Sequence, residues 1–216
     1  AQFSLGVMYD NGRGVPENDA EAVKWYKLAA QQGNIYAQFN LGFMYANGLG
    51  VPENDAEAVK WYKLAAQQGD KWAQFRLGVM YAEGRGVPEN DAEAVKWYKL
   101  AAQQGNIYAQ FNLGVMYDTG EGVPENDAEA VKWFKLAAQQ GDMKAQYNLG
   151  VIYAAGEGVP ENFVKAYSWV SIARAQGYAP ADALKSLLKE TMSPEQMAEA
   201  QSLSSRCFAS DYELCD

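Results

Sequence analysis

One stretch governs what this chain can fold into: residues 37–72, AQFNLGFMYANGLGVPENDAEAVKWYKLAAQQGDKW. Ala1, Ala37, Ala73, Ala109 and Ala145 each open a copy of it, so the period is 36 residues. Within the copies, VPENDAEAVKWYKLAAQQG recurs letter for letter from Val15, Val51 and Val87. A fixed period between about 20 and 50 residues marks an array in which one small unit is stacked on its own copies. Function in such an array belongs on a long shared surface, not in one central pocket.

Each copy reads as two helices. The first, about 37–47, carries Ala37, Leu41, Met44 and Tyr45 at helical spacing, with Gly48 as its stop. In the linker, Gly50 permits positive φ and Pro52 disfavours helix in the residue before it. Asn54 is the predicted cap of the second helix, with Glu57 as its reciprocal partner; the helix runs over 55–68 and stops at Gly69. Ala58, Tyr62, Ala65 and Ala66 form its apolar stripe, while Lys60, Lys63 and Gln67 face water. Gly42, inside the first helix, costs roughly 1 kcal/mol against alanine. Its return as Gly6, Gly78, Gly114 and Gly150 points to close backbone approach, with Ala65 and Ala66 as the expected facing partners. The triplet before each copy, such as Asn34-Ile35-Tyr36 or Asp70-Lys71-Trp72, is expected in the turn between repeats.

The pattern A-x-x-x-L-G-x-x-Y-x-x-G-x-G-V-x-x-x-x-x-x-A-x-x-W-Y-x-x-A-A-x-Q-G resembles the Sel1-like repeat, a relative of the tetratricopeptide repeat, over five copies from Ala1 to about Gly177. The resemblance implies an all-α, right-handed α-solenoid of five 36-residue helix-turn-helix repeats that binds partner proteins or peptides. The expected organisation is 1–36, 37–72, 73–108, 109–144 and 145–180, then a C-terminal capping helix pair and tail over 181–216.

Composition narrows the chemistry. The net charge of −9 argues against nucleic acid and anionic membrane surfaces, both of which call for a basic face. No apolar run approaches the roughly 20 residues that span a bilayer. With no histidine, Ser-His-Asp and Cys-His catalysis and imidazole-based zinc sites are excluded. Most acidic residues are repeated letters of the Glu53 and Asp55 kind, which read as caps and solvated faces. No cofactor and no metal are expected. The Gly12-Arg13-Gly14, Gly84-Arg85-Gly86 and Gly120-Glu121-Gly122 triplets follow a helix where a dinucleotide fingerprint follows a strand, so they read as turns.

Copy five departs in its second helix, where Phe163, Val164, Ser168, Val170, Ser171 and Ile172 replace Asp, Ala, Lys, Tyr, Lys and Leu of the other copies; the tail is its expected cover. In that tail 183–189 is amphipathic, and Ser193, Pro194 and Gln196 form a helix start. Met192 to Gln196, 198–201, Cys207, Tyr212 and Cys215 resemble the closing segment of exported Gram-negative Sel1-like proteins. Cys207 and Cys215, the two cysteines, are either a disulfide adding roughly 2–3 kcal/mol or two free thiols near the end of the chain. A periplasmic or secreted location is the expectation, a cytoplasmic one the alternative. Ala1 opens with nothing to cover its first helix, so a preceding portion, with room for a signal peptide, is expected.

In related hairpin repeats the first helices line the concave surface. The groove-facing letters are then the third (Phe3, Phe39, Phe75, Phe111, Tyr147), fourth (Ser4, Asn40, Arg76, Asn112, Asn148), seventh (Val7, Phe43, Val79, Val115, Val151), tenth (Asp10, Ala46, Ala82, Asp118, Ala154) and eleventh. The asparagines offer donor and acceptor to an extended backbone, and Arg76 offers a carboxylate a two-pronged contact. The alternative is that these side chains cap turns or face water, and that the third-letter aromatics are wedges between successive first helices. The expected function is a non-enzymatic scaffold or adaptor holding a protein or peptide of unspecified identity. The rivals are self-association through the uncapped N-terminal face and, less favoured, a glycan-active enzyme.

Overall fold

The computed structural model describes residues 1–212 and Cys215. Among these are twelve helices and no strand: α1 (Gln2–Asn11), α2 (Asp19–Gln31), α3 (Ile35–Asn47), α4 (Asp55–Gln67), α5 (Lys71–Glu83), α6 (Asp91–Gln103), α7 (Ile107–Thr119), α8 (Asp127–Gln139), α9 (Met143–Ala155), α10 (Phe163–Ala175), α11 (Ala181–Thr191) and α12 (Pro194–Ala209). They fall into two compact units, Ala1–Asn106 and Ile107–Asp216. The first stacks the hairpins α1/α2, α3/α4 and α5/α6; the second holds α7/α8, α9/α10 and the two closing helices.

The second helices start where the letters demand. Asn54 accepts from the Glu57 backbone N–H at 3.0 Å, as Asn18, Asn90 and Asn126 do in their copies. The expected return bond from Glu57 does not form. The Asn54 N–H is already donated to the Tyr45 carbonyl at 2.8 Å, and the Glu57 carboxylate pairs with Lys60. The first helices begin two residues earlier than expected. Asn34, Asp70 and Asp142 accept from the N–H of Ala37, Ala73 and Ala145 at 2.8, 2.7 and 2.8 Å, so the supposed turn triplet is a cap followed by two helical residues. Tyr36 and Trp72 therefore lie on helices.

The helical glycines meet an aromatic ring where alanines were expected. A Cβ on Gly42 would lie 2.8 Å from Tyr62 Cδ1, and one on Gly6 2.6 Å from Tyr26 Cδ1; the Phe134 ring stands opposite Gly114, and Val170 takes the ring's place opposite Gly150. The linker glycine has its own close approach. Gly50, at φ +67°, passes so near the start of α2 that a Cβ would stand 2.3 Å from the Asp19 carbonyl carbon. Successive repeats are also stitched by glutamines. The buried Gln38 side chain donates to the Ala30 carbonyl at 3.1 Å and accepts from Gln68 at 2.7 Å, a relay repeated at Ala66, Gln74 and Gln104 and at Ala138, Gln146 and Gln176.

In the second unit α10 is covered by α11 and α12. Trp169, Val170 and Ile172 are buried, and the Ser168 hydroxyl is shared between the carbonyls of Val164 (2.8 Å) and Ala200 (2.9 Å). The start of α12 forms the expected reciprocal cap: Gln196 N–H donates to Ser193 Oγ at 3.3 Å and Ser193 N–H to Gln196 Oε1 at 3.0 Å. Cys207 and Cys215 are joined with their Cα atoms 4.5 Å apart, and Tyr212 lies against the Gly141 turn. No described helix is long and apolar enough to cross a membrane.

Candidate functional site: the first-helix face

In the first unit α3 carries Tyr36, Phe39, Asn40, Phe43 and Asn47 three or four residues apart, and α5 carries Trp72, Phe75, Arg76 and Val79. Tyr36 is 63% exposed, Trp72 43% and Phe43 38%. The third-letter rings are half-buried, and each leans on the second-helix ring of its own copy: Phe3 on Tyr26 (5.9 Å), Phe39 on Tyr62 (5.7 Å), Phe75 on Tyr98 (6.0 Å). Phe3 also touches Tyr36 of the next first helix at 5.9 Å, and Phe39 packs against the cluster that includes Ala73, Leu77 and Met80 of α5.

Two equivalent phenols of this unit have different neighbours. The fully buried Tyr26 donates to Asp10 Oδ2 at 2.9 Å, with the Asn40 side chain beside it. Burial first, and Asp10 second, push its phenol well above the ordinary range. Asn40 is half-buried. One repeat on, Ala46 stands at the Asp10 letter and Arg76 at the Asn40 letter. Tyr62, 2% exposed, here lines a recess of about 80 Å³ together with Phe43, Ala46, Asn47, Arg76, Val79, Met80 and Arg85. Its phenol is pushed up to about 12, by burial first, while Arg76 and Arg85 pull it down and Asp55 pushes it up. Arg85 is committed: Nη2 and Nε donate to the Asp55 carboxylate at 2.9 and 3.2 Å, which raises the guanidinium further. Arg76 is exposed, lies 5.9 Å from the centre of the Phe75 ring, and makes no ion pair among the described residues.

The remaining candidates lie in the second unit. Phe111 leans on Phe134 at 5.9 Å, with the Lys144 ammonium 5.9 Å from its ring centre. Tyr147, in the copy where Val170 stands at the second-helix ring's letter, pairs with Tyr178 at 5.3 Å. Asn112 and Asn148 are half-buried, and Asp118 is exposed. The Asp118 carboxyl is raised above the ordinary aspartate range by partial burial, then by Glu157, Asp127 and Glu125. Among the described residues no group of three or more Cys, Asp or Glu could hold a metal ion. Sequence reasoning placed Phe43 and Arg76 on one face but missed Tyr62 and Arg85 as their neighbours. The available signal was that the tenth letter loses its carboxylate in the copy whose following fourth letter gains a guanidinium.

A family model described as Sel1 repeat matches residues 1–34, 35–70, 73–106, 107–142 and 144–178. The chain belongs to the Sel1 repeat family. Sel1 repeat proteins are a class known for protein–protein interaction and generally act as non-enzymatic scaffolds. Among solved structures this Sel1 repeat chain is similar to a protective antigen of uropathogenic Escherichia coli strains displaying an SLR fold, at 38% identity over 95% of this chain and TM-score 0.86. The chain spans 45% of that protein's length. It is also similar to a Sel1 repeat protein from Oxalobacter formigenes, at 39% identity, 83% of this chain, 74% of that one and TM-score 0.79. A protein described as a Sel1 repeat protein from Klebsiella pneumoniae shares the fold, at 22% identity, 87% of this chain, 91% of that one and TM-score 0.51. No curated protein matches the chain.

Proposed function

We propose that the protein is a non-enzymatic adaptor that holds a protein or peptide on the first-helix face of its first unit. The observation that carries this reading is the solvent-facing row of Tyr36, Phe43 and Trp72 beside Arg76, a guanidinium without an ion pair among the described residues. Apolar surface rimmed by a few polar groups is what partners bury, and aromatic and arginine anchors dominate such contacts. Panning a displayed peptide library against the immobilised protein tests it. Selected peptides should bind Phe43→Ser and Arg76→Gln at least about tenfold more weakly, with Tm unchanged. Equal affinity for both variants and the native protein sinks the reading.

An oxidising compartment, periplasmic or extracellular, is part of the same proposal. The pairing of Cys207 with Cys215 supports it, because such bonds persist outside reducing compartments. Intact mass of the unreduced protein taken from its native compartment should be two hydrogens below the reduced value; two alkylatable thiols overturn this part.

A further inference from the structure

The recess at Tyr62 differs from the environment of Tyr26 in a way that identifies a ligand. In copy one the phenol already has its carboxylate, Asp10 Oδ2 at 2.9 Å. In copy two the same phenol is as deeply buried, yet alanine stands at the carboxylate's letter, and the Tyr62 hydroxyl has no hydrogen-bond partner among the described residues. Tyr62 lines the recess, so its hydroxyl is not sealed from solvent and is free to donate to a group bound there. Beside it, the letter that supplies the neutral Asn40 amide to Tyr26 supplies the Arg76 guanidinium to Tyr62. Removing an internal anion and adding a cation at one phenol makes a place for an external anion.

We infer that the recess lined by Tyr62, Arg76 and Ala46 is a carboxylate-binding site, taking from a partner the group that Asp10 supplies within copy one. The Tyr62 hydroxyl donates one hydrogen bond to the bound oxygen, and Arg76 pairs with the same carboxylate, a combination of charge-assisted bonds. Arg85 remains on Asp55, which balances its charge, so Arg76 is the cation left for the ligand. The size agrees. A recess of about 80 Å³, open to solvent, admits a carboxylate and its methylene. Phe43 and Val79 on the wall accept the alkyl part. The site lies on the face assigned above to partner binding, and its use in recognition rests on that assignment.

The decisive variant returns the missing group. Isotopically labelled protein is titrated with sodium acetate at constant ionic strength, chloride being the control, while the Arg76 Nε–H resonance is followed. In the native protein the shift should saturate. In Ala46→Asp, whose own carboxylate takes the Asp10 role, acetate should bind at least about tenfold more weakly while Tm rises. Arg76→Gln and Tyr62→Phe should also weaken acetate. If Ala46→Asp saturates at the same acetate concentration as the native protein, or the native protein shows no saturable shift, the site is refuted. Two acidic tripeptides and a neutral control separate the sources. Ac-Ala-Asp-Ala-amide presents an acidic side chain, Ac-Ala-Ala-Ala with a free end presents a terminal carboxylate, and Ac-Ala-Asn-Ala-amide presents neither. Preference for either acidic probe over the asparagine control supports the site and names its source. Peptides from the panning that bind Ala46→Asp and native protein equally would overturn the recess while leaving the face as a partner surface. Acetate binding with no peptide selected at all would do the reverse.

Discussion

Tyr26 and Tyr62 occupy the same letter of consecutive copies, sit on equivalent glycines, and face opposite electrostatics. Around Tyr26 the protein supplies its own carboxylate, Asp10, with the neutral Asn40 beside it. Around Tyr62 the letters that would do so are Ala46 and Arg76. A third version occurs in the second unit, where Asp118 and Asn148 keep the copy-one letters but Phe134 has no hydroxyl to offer them. The scaffold that seats the ring is held constant while the polar groups around it vary. That separation is how one repeated hairpin acquires distinct surfaces at successive positions without changing its packing.

The largest test addresses the constant part. Gly6→Val and Gly42→Val both force atoms into a ring within 2.6–2.8 Å, and each should destabilise by about 1–3 kcal/mol in urea denaturation. A clear inequality between them would show that the two seats are not equivalent. Next comes the polar difference. Tyr26→Phe should cost about 1 kcal/mol through the lost bond to Asp10, whereas Tyr62→Phe should stay within about 0.5 kcal/mol of native in the absence of a carboxylate. Equal losses would break the comparison outright. Phe134→Tyr supplies the missing hydroxyl to Asp118 and should gain roughly 0.5–1 kcal/mol.

The smallest effect is a pH slope. The folded Asp118 carboxyl is raised, so the native state holds its proton to higher pH than the unfolded chain does. Stability from this group is complete below the ordinary aspartate value of about 3.9 and is lost as pH rises through the raised folded value. Asp118→Asn should flatten that part of the pH–stability curve. An unchanged slope would mean that Asp118 feels neither its burial nor Glu157, Asp127 and Glu125.

Much of the fold could be read in advance because its determinants are local. The asparagine caps, the terminating glycines, and the Ser193–Gln196 box act within four residues of themselves, and copy five betrayed its cover by losing charge. Errors arose where two local readings competed. Asn34 looked like a turn residue and is a cap, and Glu57 looked like a cap partner and is bound to Lys60 because the Asn54 amide is already taken by Tyr45. Gly42 was recognised as a contact point, but the ring opposite it depends on how α4 is rotated against α3, which no single helix encodes.

The 36-letter period was enough to establish an all-α stack of five hairpins, since a hairpin with aromatic faces finds its cover in its neighbours. Recognition of the Tyr62 recess needed the packed hairpins. Tyr26 meets Asp10 from sixteen residues away, and Ala46, Tyr62 and Arg76 meet from three different helices. Distances between letters so far apart follow from helix rotation and register, and those are set by side-chain packing between helices, not by the order of residues along any one of them.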